Sequence, residues 1–155
     1  MASSPKTFDR VSDLSSYVGQ TVGVSGWLRI DQGRVDAFAE AAGDNQWIHV
    51  DVERAKNESI YGQTIVQGFL TLALAPMFVN DIFVIKNYRM KLNYGVNKVR
   101  FPSAMLVGKK IRMHLELMSY RDLGDSAETV MKYVFECQGQ EKPVCVAEQI
   151  NRWVF

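Results

Sequence analysis

Thr64-Ile65-Val66-Gln67-Gly68-Phe69-Leu70-Thr71-Leu72-Ala73-Leu74-Ala75-Pro76-Met77-Phe78-Val79 is the stretch on which the fold turns. On a helical wheel its apolar residues Phe69, Leu70, Leu72, Ala73, Leu74, Ala75, Met77 and Phe78 occupy every side. A helix of that kind in a chain of 155 residues belongs at the buried centre of the domain. It is too short to span a bilayer, and Gln67, Gly68, Thr71 and Pro76 interrupt it.

What surrounds such a helix is read from the rest of the chain. Residues 109–120 alternate, with Ile111, Met113, Leu115 and Leu117 on one face and Arg112, His114 and Glu116 on the other, the period of a half-buried strand. Residues 128–137 are similarly rich in Val, Tyr and Phe, and the turn at 122–125, with Gly124, joins the two as a hairpin. Gln138-Gly139-Gln140 supplies the next turn, and residues 96–101 and 144–155 complete a sheet of about five strands. One buried helix against one long antiparallel sheet is an α+β arrangement.

Toward the N-terminus the signals are more local. Residues 1–7 are small and polar and are expected to fray, residues 8–18 to form a short helix opening at Asp9 or Ser12, and residues 21–30 a strand interrupted by Gly23 and Gly26. Asp31 has the position of an N-cap, because Val35, Phe38, Ala39 and Ala42 follow at helical spacing and Gly43 closes the run. Residues 44–49 then read as a short loop, and Asp51 as the cap of another short helix through Glu53, Arg54 and Ala55.

Length and composition set the outer bounds. An apolar fraction of 47% over 155 residues is enough for one domain with a real core, so a single domain over 1–155 is expected. Eighteen Lys and Arg against seventeen Asp and Glu leave a charge of +1, without the basic excess of a nucleic-acid binder. The two cysteines, Cys137 and Cys145, lie in or beside strand-like sequence at no metal-binding spacing and read as buried thiols; no metal site is expected. The first residues lack the apolar run of a signal peptide, which makes a cytoplasmic protein the expectation, without nucleic-acid or membrane partners.

Of the two histidines, His114 shares the polar face of its strand with Arg112 and Glu116, which leaves His49, five residues after Asp44. A carboxylate and an imidazole converging beyond a helix end suit chemistry in which a water is held, deprotonated and added while a proton goes to a neighbouring carbon. Spacing alone favours a structural reading, since a loop aspartate and a histidine satisfied by backbone are ordinary features.

Ala41-Ala42-Gly43-Asp44-Asn45-Gln46-Trp47-Ile48-His49-Val50-Asp51, followed by Glu53-Arg54-Ala55, resembles the hydratase-2 signature of the MaoC-like enoyl-CoA hydratases and dehydratases, in particular their nodulation-protein-N-like branch. Tyr61-Gly62-Gln63-Thr64-Ile65-Val66-Gln67-Gly68-Phe69-Leu70-Thr71-Leu72 resembles the segment opening that family's central helix. Asn93-Tyr94-Gly95 and Asn97-Lys98-Val99-Arg100-Phe101-Pro102 resemble the strand after it. The resemblance implies the hot-dog fold, a homodimer joined edge to edge, and (R)-specific addition of water to an enoyl-CoA thioester, with coenzyme A as substrate carrier and no other cofactor.

It also assigns residues. Asp44 and His49 would position the catalytic water, the Gly68 N–H would bind the thioester oxygen, and Asn45 and Gln67 fall in the substrate-binding positions. Two departures stand out: Gln46-Trp47 replaces the family's usual Asn-Pro, and Gln67 replaces a common histidine. Trp47 is expected to wall the acyl tunnel or fill the core. Two rival activities are a thioesterase on the same fold and a non-catalytic acyl-binding module.

Overall fold

Burial explains the sheet before topology does. The computed structural model describes residues 4–155. Strands β6 (Lys110–Asp122), β7 (Ser126–Cys137) and β8 (Cys145–Val154) alternate between buried and more exposed positions, β6 as far as Leu117 and β7 from Ala127 onward, so each presents one side-chain row inward. Ile111, Met113, Leu115 and Leu117 are fully buried, as their alternation predicts. With β2 (Gln20–Val24) and β5 (Met90–Arg100) these strands form one antiparallel sheet in the order β2-β6-β7-β8-β5, and the two-residue β3 (Leu28–Arg29) also pairs with β6.

The sheet curls around a central helical segment in the hot-dog arrangement. That segment runs as α4 (Gly68–Ala73) and α5 (Ala75–Ile82) rather than over 64–79. Residues before Gly68 are extended: the Val66 N–H donates to the Met105 carbonyl at 2.8 Å, and Ile65 bridges Leu106. The break falls at Leu74, two residues before Pro76, whose ring cannot donate to the helix ladder and is tolerated only in a first turn.

Leu70, Leu74, Phe78 and Ile82 lie in the core, but the expectation of burial on every side is not met. Phe69 is 67% exposed, and with exposed Ala73, Pro76 and Asn80 it forms an open stripe.

The N-terminal expectations need two corrections. Lys6 and Thr7 are not frayed: they belong to β1 (Lys6–Arg10), which pairs in parallel with β4 (Phe83–Asn87). Residues 1–3 of the segment expected to fray lie outside the described residues. The predicted helix over 8–18 is instead the end of β1 followed by a 3-10 turn over Val11–Tyr17. Phe8 faces Phe83 and Tyr17 edge-on, a long-range packing that no local pattern announces.

Helix α1 (Gln32–Ala42) begins and ends as read. Asp31 accepts a hydrogen bond from the Arg34 N–H at 3.0 Å, and Gly43 stands at φ 71°, the left-handed closing position. The segment read as a loop contains a single helical turn, α2 (Trp47–Val50), after which Asp51 caps α3 (Val52–Glu58) through the Arg54 N–H at 2.9 Å. Both Cys137 and Cys145 are buried free thiols. Among the described residues, no helix is long and apolar enough to cross a membrane.

Candidate active site

The turn α2 decides where the imidazole goes. Its first residue follows Asp44 by only three positions, so one turn of helix carries His49 inward while Asp44 stays at the rim. His49 Nε2 lies 3.9 Å from Asp44 Oδ2, too long for a direct hydrogen bond and short enough for one water to contact both. The histidine is buried and the aspartate partly exposed, so the pair spans the boundary between solvent and interior.

The backbone selects the tautomer of His49. Its Nδ1 lies 2.7 Å from the Ile65 carbonyl oxygen, which can only accept, so Nδ1 carries the hydrogen and the lone pair of the neutral ring sits on Nε2, facing Asp44. The turn is held in turn by Gln32, whose Nε2 donates to the His49 carbonyl at 2.7 Å while its Oε1 accepts from the Thr64 hydroxyl at 2.7 Å. Ile65, Gln32 and Thr64 are the supports that sequence reading missed. Each acts across 16 residues or more, and no spacing within the chain signals such contacts.

A cavity of about 370 Å³ opens beside the imidazole, lined by His49 together with Gly68, Phe69, Phe101, Ser103 and Met105 among others. Gly68 is the first residue of α4. The first amide of the segment to find an intrahelical partner is Thr71 N–H, on the Gln67 carbonyl at 3.2 Å, so the Gly68 N–H has no partner within the helix. The group pressed against Gly68 is the Phe101 ring: a Cβ added to the glycine would meet ring carbons at 2.8 Å. Phe69 packs edge-on against the same ring, with centroids 5.6 Å apart.

The remaining sequence candidates fall elsewhere. Asn45 is exposed and outside the cavity lining. Gln67 is 2% exposed and also outside it; its Nε2 donates to the Val35 carbonyl at 3.2 Å and ties the central helix to α1, while its Oε1 is buried without a partner among the described residues. Trp47 neither walls the cavity nor enters the core, but lies half-buried under the Arg54 guanidinium, 4.5 Å from the ring centre. His114 stays on the polar face of β6 as read, 2.6 Å from a Glu136 oxygen that Arg112 also binds. No cluster of His, Cys, Asp and Glu able to hold a metal occurs among the described residues.

Taken together, the arrangement can hold a water between the Nε2 of His49, which lines a largely apolar cavity, and the Asp44 carboxylate, which lies outside that lining, with the helix-start residue Gly68 on the same cavity wall. The family model described as "MaoC like domain" matches residues 13–136. The chain is 43% identical over 150 residues to 3-hydroxyacyl-thioester dehydratase Z of Mycobacterium tuberculosis (strain CDC 1551 / Oshkosh), covering 96% of this chain and 99% of that protein. It is 37% identical over 143 residues to nodulation protein N of Rhizobium leguminosarum bv. viciae, covering 91% and 89%. Among solved structures, the MaoC-like dehydratase from Rhodospirillum rubrum superposes with a TM-score of 0.74 at 19% identity, covering 93% and 95%, a likeness of fold.

Proposed function

This chain belongs to the MaoC-like dehydratase family, and from that premise we propose that it is an (R)-specific enoyl-CoA hydratase, equivalently a 3-hydroxyacyl-CoA dehydratase. The observation carrying the reading is the placing of Asp44 Oδ2 3.9 Å from Nε2 of His49, whose ring lines the 370 Å³ cavity and whose Nδ1 is engaged by the Ile65 carbonyl. In hydration, a water held by both groups loses a proton to Nε2 as its oxygen bonds to C3 of the enoyl thioester. Charge moves to the thioester oxygen, where the Gly68 N–H at the positive end of α4 stabilises it, and a proton returned to C2 completes the product. Dehydration runs the same steps backward. Addition of water is redox-neutral, so the reading requires no electron-carrying cofactor, and coenzyme A enters only as the acyl carrier.

A homodimer fits the same reading. β5 ends the sheet, pairing only with β8 among the described residues, and it leaves Met90, Leu92, Tyr94 and Val96 exposed beside the open helix stripe of Phe69 and Ala73. A long edge strand with exposed apolar side chains is a template for pairing with a second copy.

Kinetics on crotonyl-CoA test the assignment. Asp44→Asn and His49→Ala should each lower kcat by more than about a hundredfold, the scale of a lost acid–base group. Near-native turnover in either variant refutes it. Release of free thiol would identify a thioesterase instead, whereas loss of the enoyl absorbance without free thiol is hydration.

A further inference from the structure

Phe101 touches the helix start with the root of its ring. Cγ and Cδ1 lie 2.8 Å, and Cδ2 3.0 Å, from where a Cβ on Gly68 would stand, and these are the ring atoms that side-chain rotation displaces least. The backbone that carries the ring is fixed on both sides. Before it, Arg100 pairs with Val146 at the end of the β5–β8 ladder. After it, Pro102 disfavours helical backbone at Phe101, and the Ser103 hydroxyl reaches the Lys142 and Pro143 carbonyl oxygens at 3.2 and 3.0 Å. Phe69 packs edge-on against the same ring, with centroids 5.6 Å apart.

Bond lengths place the reacting part of the substrate beside this ring. A thioester oxygen accepting from the Gly68 N–H stands about 2.9 Å from that nitrogen. A carbonyl bond of about 1.2 Å and a carbon–carbon bond of about 1.5 Å then put C2 of the acyl group within roughly 6 Å of it. Two bonds of about 1.5 Å, from the nitrogen to the Cβ position, put the root of the Phe101 ring within roughly 6 Å of the same nitrogen. C2 and the ring root therefore share one small neighbourhood, on a cavity wall that His49 also lines. An unbranched enoyl chain carries only hydrogen at C2, whereas a methyl group there needs volume that a fixed ring does not yield without strain.

We propose that Phe101 is a specificity-determining residue whose ring excludes substituents at C2 of the acyl group, so that the substrates are enoyl thioesters unbranched at that carbon. The proposal rests on the hydratase reading for the placing of the thioester at Gly68 and adds the class of acyl group. Phe101 acts by volume alone and takes no part in proton transfer.

Hydration of crotonyl-CoA is compared with that of its 2-methyl homologue, trans-2-methyl-2-butenoyl-CoA. The branched alkene is also intrinsically less reactive, so the quantity read is the change in the ratio of the two kcat/KM values between proteins. Phe101→Ala should lower that ratio at least about tenfold, the lower end of what one methylene commands in a fitted pocket, and Phe101→Tyr, which keeps the ring root, should preserve it. Should Phe101→Ala fail to fold, Phe101→Val carries the same expectation. Calorimetry reads the same selection without turnover: the native protein should bind butyryl-CoA at least about tenfold more tightly than 2-methylbutyryl-CoA, and the ring-less variant should bind the two alike. Equal binding by the native protein, or ratios that removal of the ring leaves unchanged, overturns the proposal. Selective binding of butyryl-CoA without hydration of either enoyl thioester would sink the catalytic reading and leave the role of the ring standing. Hydration of crotonyl-CoA with a ratio indifferent to Phe101 would do the reverse.

Discussion

At the scale of single residues, Gly68 shows how one position can serve two demands. Its N–H is free at a helix start, and its missing side chain makes room for the Phe101 ring at 2.8 Å from where a Cβ would stand. The clash reaches the ring carbon nearest the Phe101 backbone, which a side-chain rotation moves least, so Gly68→Ala is expected to overpack the site and cost about 1–3 kcal/mol. For a chain of this length that is a fall in Tm of roughly 2–12 °C by thermal unfolding. Adding Phe101→Leu should recover most of the loss, and a Gly68→Ala protein as stable as the native one would show that the ring moves aside freely. Gln67 was legible only as an amide beside the glycine. Its attachment to the Val35 carbonyl, 32 residues away, is a fact of packing that turned a substrate candidate into a strut between helices.

Elements were the most legible scale where the signal is periodic. β6 and α1 have their expected faces and caps because alternation and capping act within a few residues. β1 and β4 were missed because they are five-residue strands that pair with each other across more than 70 positions. Strands β6, β7 and β8 carry a pH dependence. Glu128 on β7 is bridged by Arg152 of β8 and Arg121 of β6, each at 2.8 Å, and the hydrogen bond from Arg152 is the main cause of its lowered pKa.

A carboxylate whose folded pKa is depressed adds stability that is present above its unfolded value, near 4.3, and is lost as pH falls through the folded value. Glu128→Gln should therefore be less stable than the native protein in urea at pH 7, with the gap narrowing as pH drops below about 4. A gap independent of pH would show that the ion pairs contribute nothing specific to the sheet.

For the whole molecule, the open question is what covers β5 and the helix stripe. Two copies joined at β5 would continue the sheet and shield Leu92, Tyr94 and Val96. Charges placed on that edge oppose the pairing, so Leu92→Lys with Val96→Lys should raise the dimer Kd at least about a hundredfold, equivalent to about 2.7 kcal/mol, as read by sedimentation velocity. A native protein that sediments as a monomer at micromolar concentration would remove the dimer.

By itself the sequence determined what is periodic or contiguous: the alternating strands, the caps of α1 and α3, and the motif from Asp44 to His49 with Gly68 downstream. These are legible because their physics acts between near neighbours. Only the tertiary structure decided which nitrogen of His49 is free, through a carbonyl 16 residues away, and which face of the central helix stays open. It alone brought Lys91, Tyr133 and Gln149 to one cavity, since strand register across the sheet, and not spacing along the chain, makes them neighbours.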